Sequence, residues 1–226
     1  MQYMNRDLLK PLAVTFGVLF VFFLTNIFFP PAIGLVVPGL LLFVPILILP
    51  PIQEPQSFVQ NALATLFLDR SPKQFGKSVL IFVIVTLVVF PPYLFFAHFW
   101  MLHVFHDHGF RLASWTVFTN PLVYQLLMVA FPEEFFFRGY LQTSLNKVFQ
   151  PRWRFFGVSF GWGLILTSLI FAFAHSVIAL KWWHFSIFFP ALLFGWLKEK
   201  TGSLTAPILF HAFCNTFMNW FVSSYF

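Results

Sequence analysis

The chain has 226 residues, of which 59% are hydrophobic and 9% charged, with a mean hydropathy of +0.83, 37 phenylalanines and 8 tryptophans. Soluble domains carry about a quarter of their residues as charges, so this composition excludes that class and describes an integral membrane protein. The net charge of +6 comes with no basic stripe and no soluble domain to carry one, which excludes nucleic acid as a partner, and the single cysteine, Cys214, excludes an intrachain disulfide and a multi-cysteine metal site.

Taken in chain order, apolar runs bounded by prolines, charges or polar clusters predict seven spans, within a range of six to eight. They cover residues 11–29, 32–50, 78–102, 115–146, 155–178, 184–198 and 203–225. The first has no small-residue cleavage site after it and reads as an uncleaved span. Pro30-Pro31 makes a hairpin between the first two, and 57–70 in the longest connection is amphipathic enough to lie along the interface. The fold class expected is all-α, a polytopic transmembrane bundle forming one domain over 1–226.

Basic residues orient the bundle. With the N-terminus cytoplasmic, Arg6, Lys10, Arg70, Lys73, Lys77, Lys147, Arg152, Arg154, Lys198 and Lys200 fall inside, and only Arg111 and Lys181 outside. Arg138 is left over, within the fourth span.

That span holds the anomaly. Residues 132–140 read PEEFFFRGY, and of the seven acids only Glu133 and Glu134 lie well inside a span. A charge at bilayer depth costs about 2.5–3.5 kcal/mol even on the lenient insertion scale, so such groups pair, face a cavity or do chemistry. Glu134 and Arg138 are four residues apart and share a helix face. Glu133 lies about 140° around from Arg138 at 100° per residue, which leaves it without a local partner. Pro132 weakens the helix just before the pair. On this segment alone, a buried ion-pair staple and a reactive carboxylate both remain open.

Three more polar groups enter from other spans: His175, His211 and Asn215. His175 precedes Lys181 by six residues, about 9 Å at 1.5 Å per residue, and His211 follows Lys200 by eleven, about 16 Å. The sum, about 25 Å against a core of about 30 Å, brings the two histidines to nearly one depth. Glu133, fourteen residues before Lys147 and so about 21 Å from that boundary, falls there too. One shared intramembrane cavity follows as an expectation.

EEFFFR (133–138), FAFAH (171–175) and HAFCN (211–215) match E-E-x-x-x-R, F-x-x-x-H and H-x-x-x-N in order. The chain thereby resembles the CPBP family of intramembrane endopeptidases, also called the Abi or CAAX-protease family, with the motif core in 115–226. The resemblance implies Glu133 as general base, with His175 helping to hold the water. It implies His211 and Asn215 as polarising groups for the scissile carbonyl, and Glu134 and Arg138 as supports, with Glu134 also able to orient a histidine. It implies a substrate that is a membrane-anchored or lipidated polypeptide cut near its C-terminus. The expectation is glutamate-type catalysis without a cofactor; were zinc used, Glu133, His175 and His211 would be its ligands with water in the fourth place.

HVFHDH (103–108) offers three histidines and Asp107, which read as solvated boundary residues, and Cys214 reads as a small apolar residue rather than a nucleophile. Two other classes stay open from the residues alone: a proton-coupled carrier using Glu133, Glu134 and the histidines as a relay, and a non-catalytic scaffold or immunity factor of the same fold.

Overall fold

Pro30 and Pro31 cannot continue a helix, and the chain turns there. Helix α1 (Gln2–Phe28) ends before a 3-10 turn at Pro30–Ala32, and α2 (Ile33–Ile48) runs back beside it. The computed structural model describes residues 2–49, 64–103 and 109–226, with side chains from Arg6 onward. The expected interfacial stretch at 57–63, together with Glu54, lies outside the described residues, as do residues 104–108 of the histidine-rich loop.

Helix α3 (Pro72–His103) follows, then a long helical path, α4 (115–148). After the hairpin β1 (Trp153–Phe155) and β2 (Val158–Phe160) come α5 (Trp162–Ala179), a 3-10 turn at Trp182–Ile187, α6 (Phe188–Thr201) and α7 (Thr205–Val222). Gly202, at φ +73°, ends α6 in the left-handed conformation that glycine adopts without strain.

Helix α4 is the axis of the bundle. It is packed on by α1 and α2 and by α5, α6 and α7, while α3 packs chiefly against α6 and α7. The face α3 turns outward is apolar, with Leu80, Leu87, Val88 and Phe95 exposed. An exposed apolar face of this extent is stable only against lipid. The protein is an all-α integral membrane protein, as its composition requires.

Two details of the expected layout change. Residues 153–160, which hydropathy assigns partly to a fifth span, form an antiparallel two-stranded hairpin paired Trp153 with Phe160, so α5 begins at Trp162. Its aromatic content mimics a span, but Gly157 at φ +78° and Phe156 at φ +45° turn the chain back within two residues. Four described helices are long and apolar enough to cross a membrane: those over Arg6–Phe28, Pro30–Ile48, Pro72–His103 and Trp162–Ala179. The expected fourth, sixth and seventh spans fall short of this measure because their helices are shorter, more polar or irregular.

The bundle has two distinct ends. Lys200 Nζ donates to the Phe156 carbonyl (2.9 Å) and Leu204 N to the Phe67 carbonyl (2.8 Å), which joins the hairpin, the α6–α7 turn and the segment before α3. At the other end Arg111 N donates to Ser224 O (2.8 Å) and Trp220 Nε1 to Ala113 O (3.0 Å). The basic residues flanking α3, α6 and the hairpin therefore share one end.

Candidate active site

The axis helix is not regular where it carries its charges. It is α-helical over Trp115–Tyr124, widens to π geometry over Gln125–Ala130, returns to one α turn at Phe131–Glu134, widens again over Phe135–Gln142 and finishes as α-helix over Thr143–Val148. Pro132, inside the single α turn, has no N–H to give, and wider turns on either side take up the missing bond. π-helical turns concentrate where side chains must be aimed off the regular helix.

Arg138 is fully buried, and its Nη1 donates to Glu134 Oε1 at 2.9 Å. The pairing expected from a four-residue spacing is the one that forms. Nη2 donates to the Ala191 carbonyl at 3.2 Å, so the guanidinium also binds α4 to α6. The rings of Phe171 and Phe194 lie 4.3 and 5.1 Å from its central carbon, and cation–π contact of this kind is worth up to about 2 kcal/mol when desolvated.

Glu134 Oε1 accepts a second bond, from His211 Nδ1 at 2.8 Å. Phe194 stacks on that imidazole, its centroid 4.7 Å away and 13° from parallel, and fixes the plane of the ring. His175 is held in the same manner from a different source: its Nδ1 lies 2.9 Å from the Phe171 carbonyl. A carbonyl only accepts, so His175 Nδ1 carries the proton, and a carboxylate paired with arginine imposes the same on His211 Nδ1. Both rings thereby turn Nε2 to the interior.

Those two nitrogens meet at Glu133. Its Oε2 is 3.7 Å from His175 Nε2 and 3.8 Å from His211 Nε2, is buried, and receives no hydrogen bond from any described residue. The three side chains, drawn from α4, α5 and α7, converge at one point as the depth arithmetic predicts. His175, 30% exposed against 5% for His211, marks the open side.

Asn215 is not at that point. It lies one turn beyond His211 on α7, and its Nδ2 donates to Gln125 Oε1 at 3.0 Å. Gln125, at the start of the first π stretch, escaped the sequence reading because a lone amide in an apolar run shows no partner. A second polar set was missed for the same reason: Glu199 Oε1 accepts from Gln142 Nε2 (2.8 Å), Asn146 Nδ2 (2.9 Å) and Lys198 Nζ (3.0 Å), joining the end of α4 to that of α6. Cys214 packs with the apolar core, and His103 stacks on Phe99 at 4.1 Å.

Glu133, His175 and His211 are the donors a zinc ion would take. Ligand atoms of a tetrahedral zinc with bonds near 2.0 Å lie about 3.3 Å apart. The observed separations are wider, and no three such side chains among the described residues have the arrangement of a metal site.

Residues 114–217 match the model of the Rce1-like family, described as type II CAAX prenyl endopeptidase Rce1-like. Over 111 residues the chain is 31% identical to the uncharacterized protein YpbD of Bacillus subtilis, a stretch covering 48% of this chain and 50% of that one. The chain thus spans about half the length of that curated relative. No solved structure matches it.

Proposed function

We propose, starting from the match of residues 114–217 to the Rce1-like CAAX-protease family model, that the protein is an intramembrane endopeptidase in which Glu133 activates water. One observation carries this reading: a buried carboxylate oxygen without a protein donor, faced by two imidazole nitrogens whose other nitrogens are already committed. An unsatisfied buried acceptor costs about 1–3 kcal/mol or more, so an oxygen in this position calls for a donor. A catalytic water satisfies it.

Proton counting assigns the roles. With Glu133 and Glu134 as carboxylates, Arg138 as guanidinium and a second proton on His211, the formal charges of the set sum to zero. His211 then donates from both nitrogens, Nδ1 to Glu134 and Nε2 towards the site. His175, neutral with its proton on Nδ1, accepts at Nε2. A water between them donates to Glu133 Oε2 and His175 Nε2.

In the first step Glu133 takes a proton from this water while its oxygen attacks the scissile carbonyl carbon. The negative oxygen of the tetrahedral adduct is received by His211 Nε2–H and by the second N–H of Asn215, whose first is held by Gln125. In the second step the C–N bond breaks and Glu133 returns the proton to the leaving amine, leaving a new carboxyl terminus. The substrate is a membrane-anchored or lipidated polypeptide, cut near its C-terminus, which enters from the exposed His175 side.

The test uses purified protein in detergent with lipidated and transmembrane C-terminal peptides, product being read by mass spectrometry. Cleavage lost in Glu133→Gln and unaffected by a strong chelator is the expected result. Loss with chelator and recovery with zinc would turn Glu133, His175 and His211 into ligands. Proton-linked flux without cleavage would overturn the reading in favour of a carrier.

A further inference from the structure

Away from the catalytic cluster, α3, α6 and the β1–β2 hairpin enclose an open groove of about 570 Å³. Its size lies in the range of about 300–1,000 Å³ typical of small-molecule sites. Every residue lining it is apolar, among them Ile84 and Val88 of α3, Phe189, Leu193 and Trp196 of α6, and Phe156 of the hairpin. The Trp196 indole N–H is already donated to the Phe155 carbonyl (3.2 Å), so the groove offers a ligand no polar anchor along its length.

Its depth is that of one leaflet. From Lys77 to Ile84 is seven residues and to Val89 twelve, about 10 and 18 Å along α3; from Lys200 to Phe189 is eleven, about 16 Å along α6. Half of a hydrocarbon core is about 15 Å. The groove therefore starts at the basic end of the bundle and stops near mid-bilayer.

Its mouth is cationic. Lys77 is exposed and lies on the α3 stripe that continues through Ile84 and Val88 into the groove. Lys200 Nζ sits at the hairpin, on the Phe156 carbonyl and 5.8 Å from the Trp196 ring. Arg154 is exposed on β1. Two carboxylates at this end have partners of their own: Glu199 pairs with Lys198, and Asp69 accepts from the Ser78 hydroxyl at 3.1 Å. Among the described residues, Lys77, Arg154 and Lys200 have no carboxylate within ion-pair distance.

We propose that this groove is a binding site for an anionic phospholipid of the bilayer, one acyl chain lying against Ile84, Val88 and Leu193 and the phosphate held at the mouth by Lys77 and Lys200. An apolar slot one leaflet deep with uncompensated cations only at its open end is complementary to that molecule in length, polarity and charge. A bound chain also braces α6, which on its other side gives Ala191 to Arg138 and Phe194 to His211.

The experiment is native mass spectrometry of the full chain, released from detergent with phosphatidylglycerol or phosphatidylcholine. Retained phosphatidylglycerol is expected, weakened about thirtyfold in the double variant Lys77→Gln, Lys200→Gln. Leu193→Trp, which fills the groove and leaves the lysines in place, is expected to abolish retention. Equal retention of the two lipids, or retention unchanged in both variants, overturns the proposal. So does displacement of the lipid by a prenylated peptide in wild type and not in Leu193→Trp, which would give the groove to substrate. Binding is read without cleavage, so failure of the peptidase reading leaves this result standing.

Discussion

Glu134 Oε1 and His211 Nδ1 lie 2.8 Å apart across two helices, and the same oxygen accepts from Arg138 at 2.9 Å. One buried carboxylate oxygen thus sets both the tautomer of an imidazole and the position of a guanidinium. The second glutamate of the motif is a positioning residue in this geometry, and the first is the one whose oxygen faces the Nε2 atoms of both His175 and His211.

Replacing Glu134 by glutamine tests that division. The amide cannot compensate Arg138, and removing one member of a buried pair costs about 3–5 kcal/mol. Glu134→Gln is expected to lower the unfolding temperature in detergent and to abolish cleavage together, both read on the same preparation.

Glu133→Gln should separate those two effects. The general base is worth about 10²–10⁴ in rate, while the atom removed makes no hydrogen bond to a described residue. The expected outcome is loss of cleavage by that factor with an unfolding temperature equal to or above wild type. A large fall in stability would mean that Glu133 is a structural partner.

Gln125 gives a prediction the motifs do not contain. Its Oε1 holds one N–H of Asn215, so Gln125→Leu frees the amide to rotate away from the developing oxyanion. Losing one oxyanion donor costs about 10²–10³ in kcat, and a misoriented donor should cost up to that much with KM little changed. Gln125→Glu, which keeps the accepting oxygen, should recover part of the rate; equal defects in both variants would remove the orienting role.

Gly195 tests the packing behind the site. A Cβ there would stand 2.7 Å from Gln142 Oε1 and 2.9 Å from Leu164 Cγ. Gly195→Ala should destabilise the protein by about 1–3 kcal/mol through overpacking, measured by thermal unfolding, as α6 is pushed off α4. Gly39→Ala, with nothing within 4 Å of its Cβ, is the control expected to be near neutral.

The membrane class, the helical fold and the three residues that meet at Oε2 of Glu133 were legible in the sequence. Twenty-residue apolar runs and the cost of intramembrane charge do not depend on how helices pack. The shared depth of Glu133, His175 and His211 followed from counting residues to the nearest lysine. Tertiary structure decided what local periodicity cannot reach. The hairpin at 153–160 reads as apolar and aromatic, and only its left-handed turn reverses the chain. The π turns around Pro132 depart from the 3.6-residue period that the angular argument assumed, although the Glu134–Arg138 pair formed regardless. Asn215 met Gln125, and Arg138 met the Ala191 carbonyl fifty-three residues away, because a polar atom in an apolar bundle takes whichever partner the packing delivers. Sequence determined which atoms need a partner; which partner each one finds depends on how the helices cross.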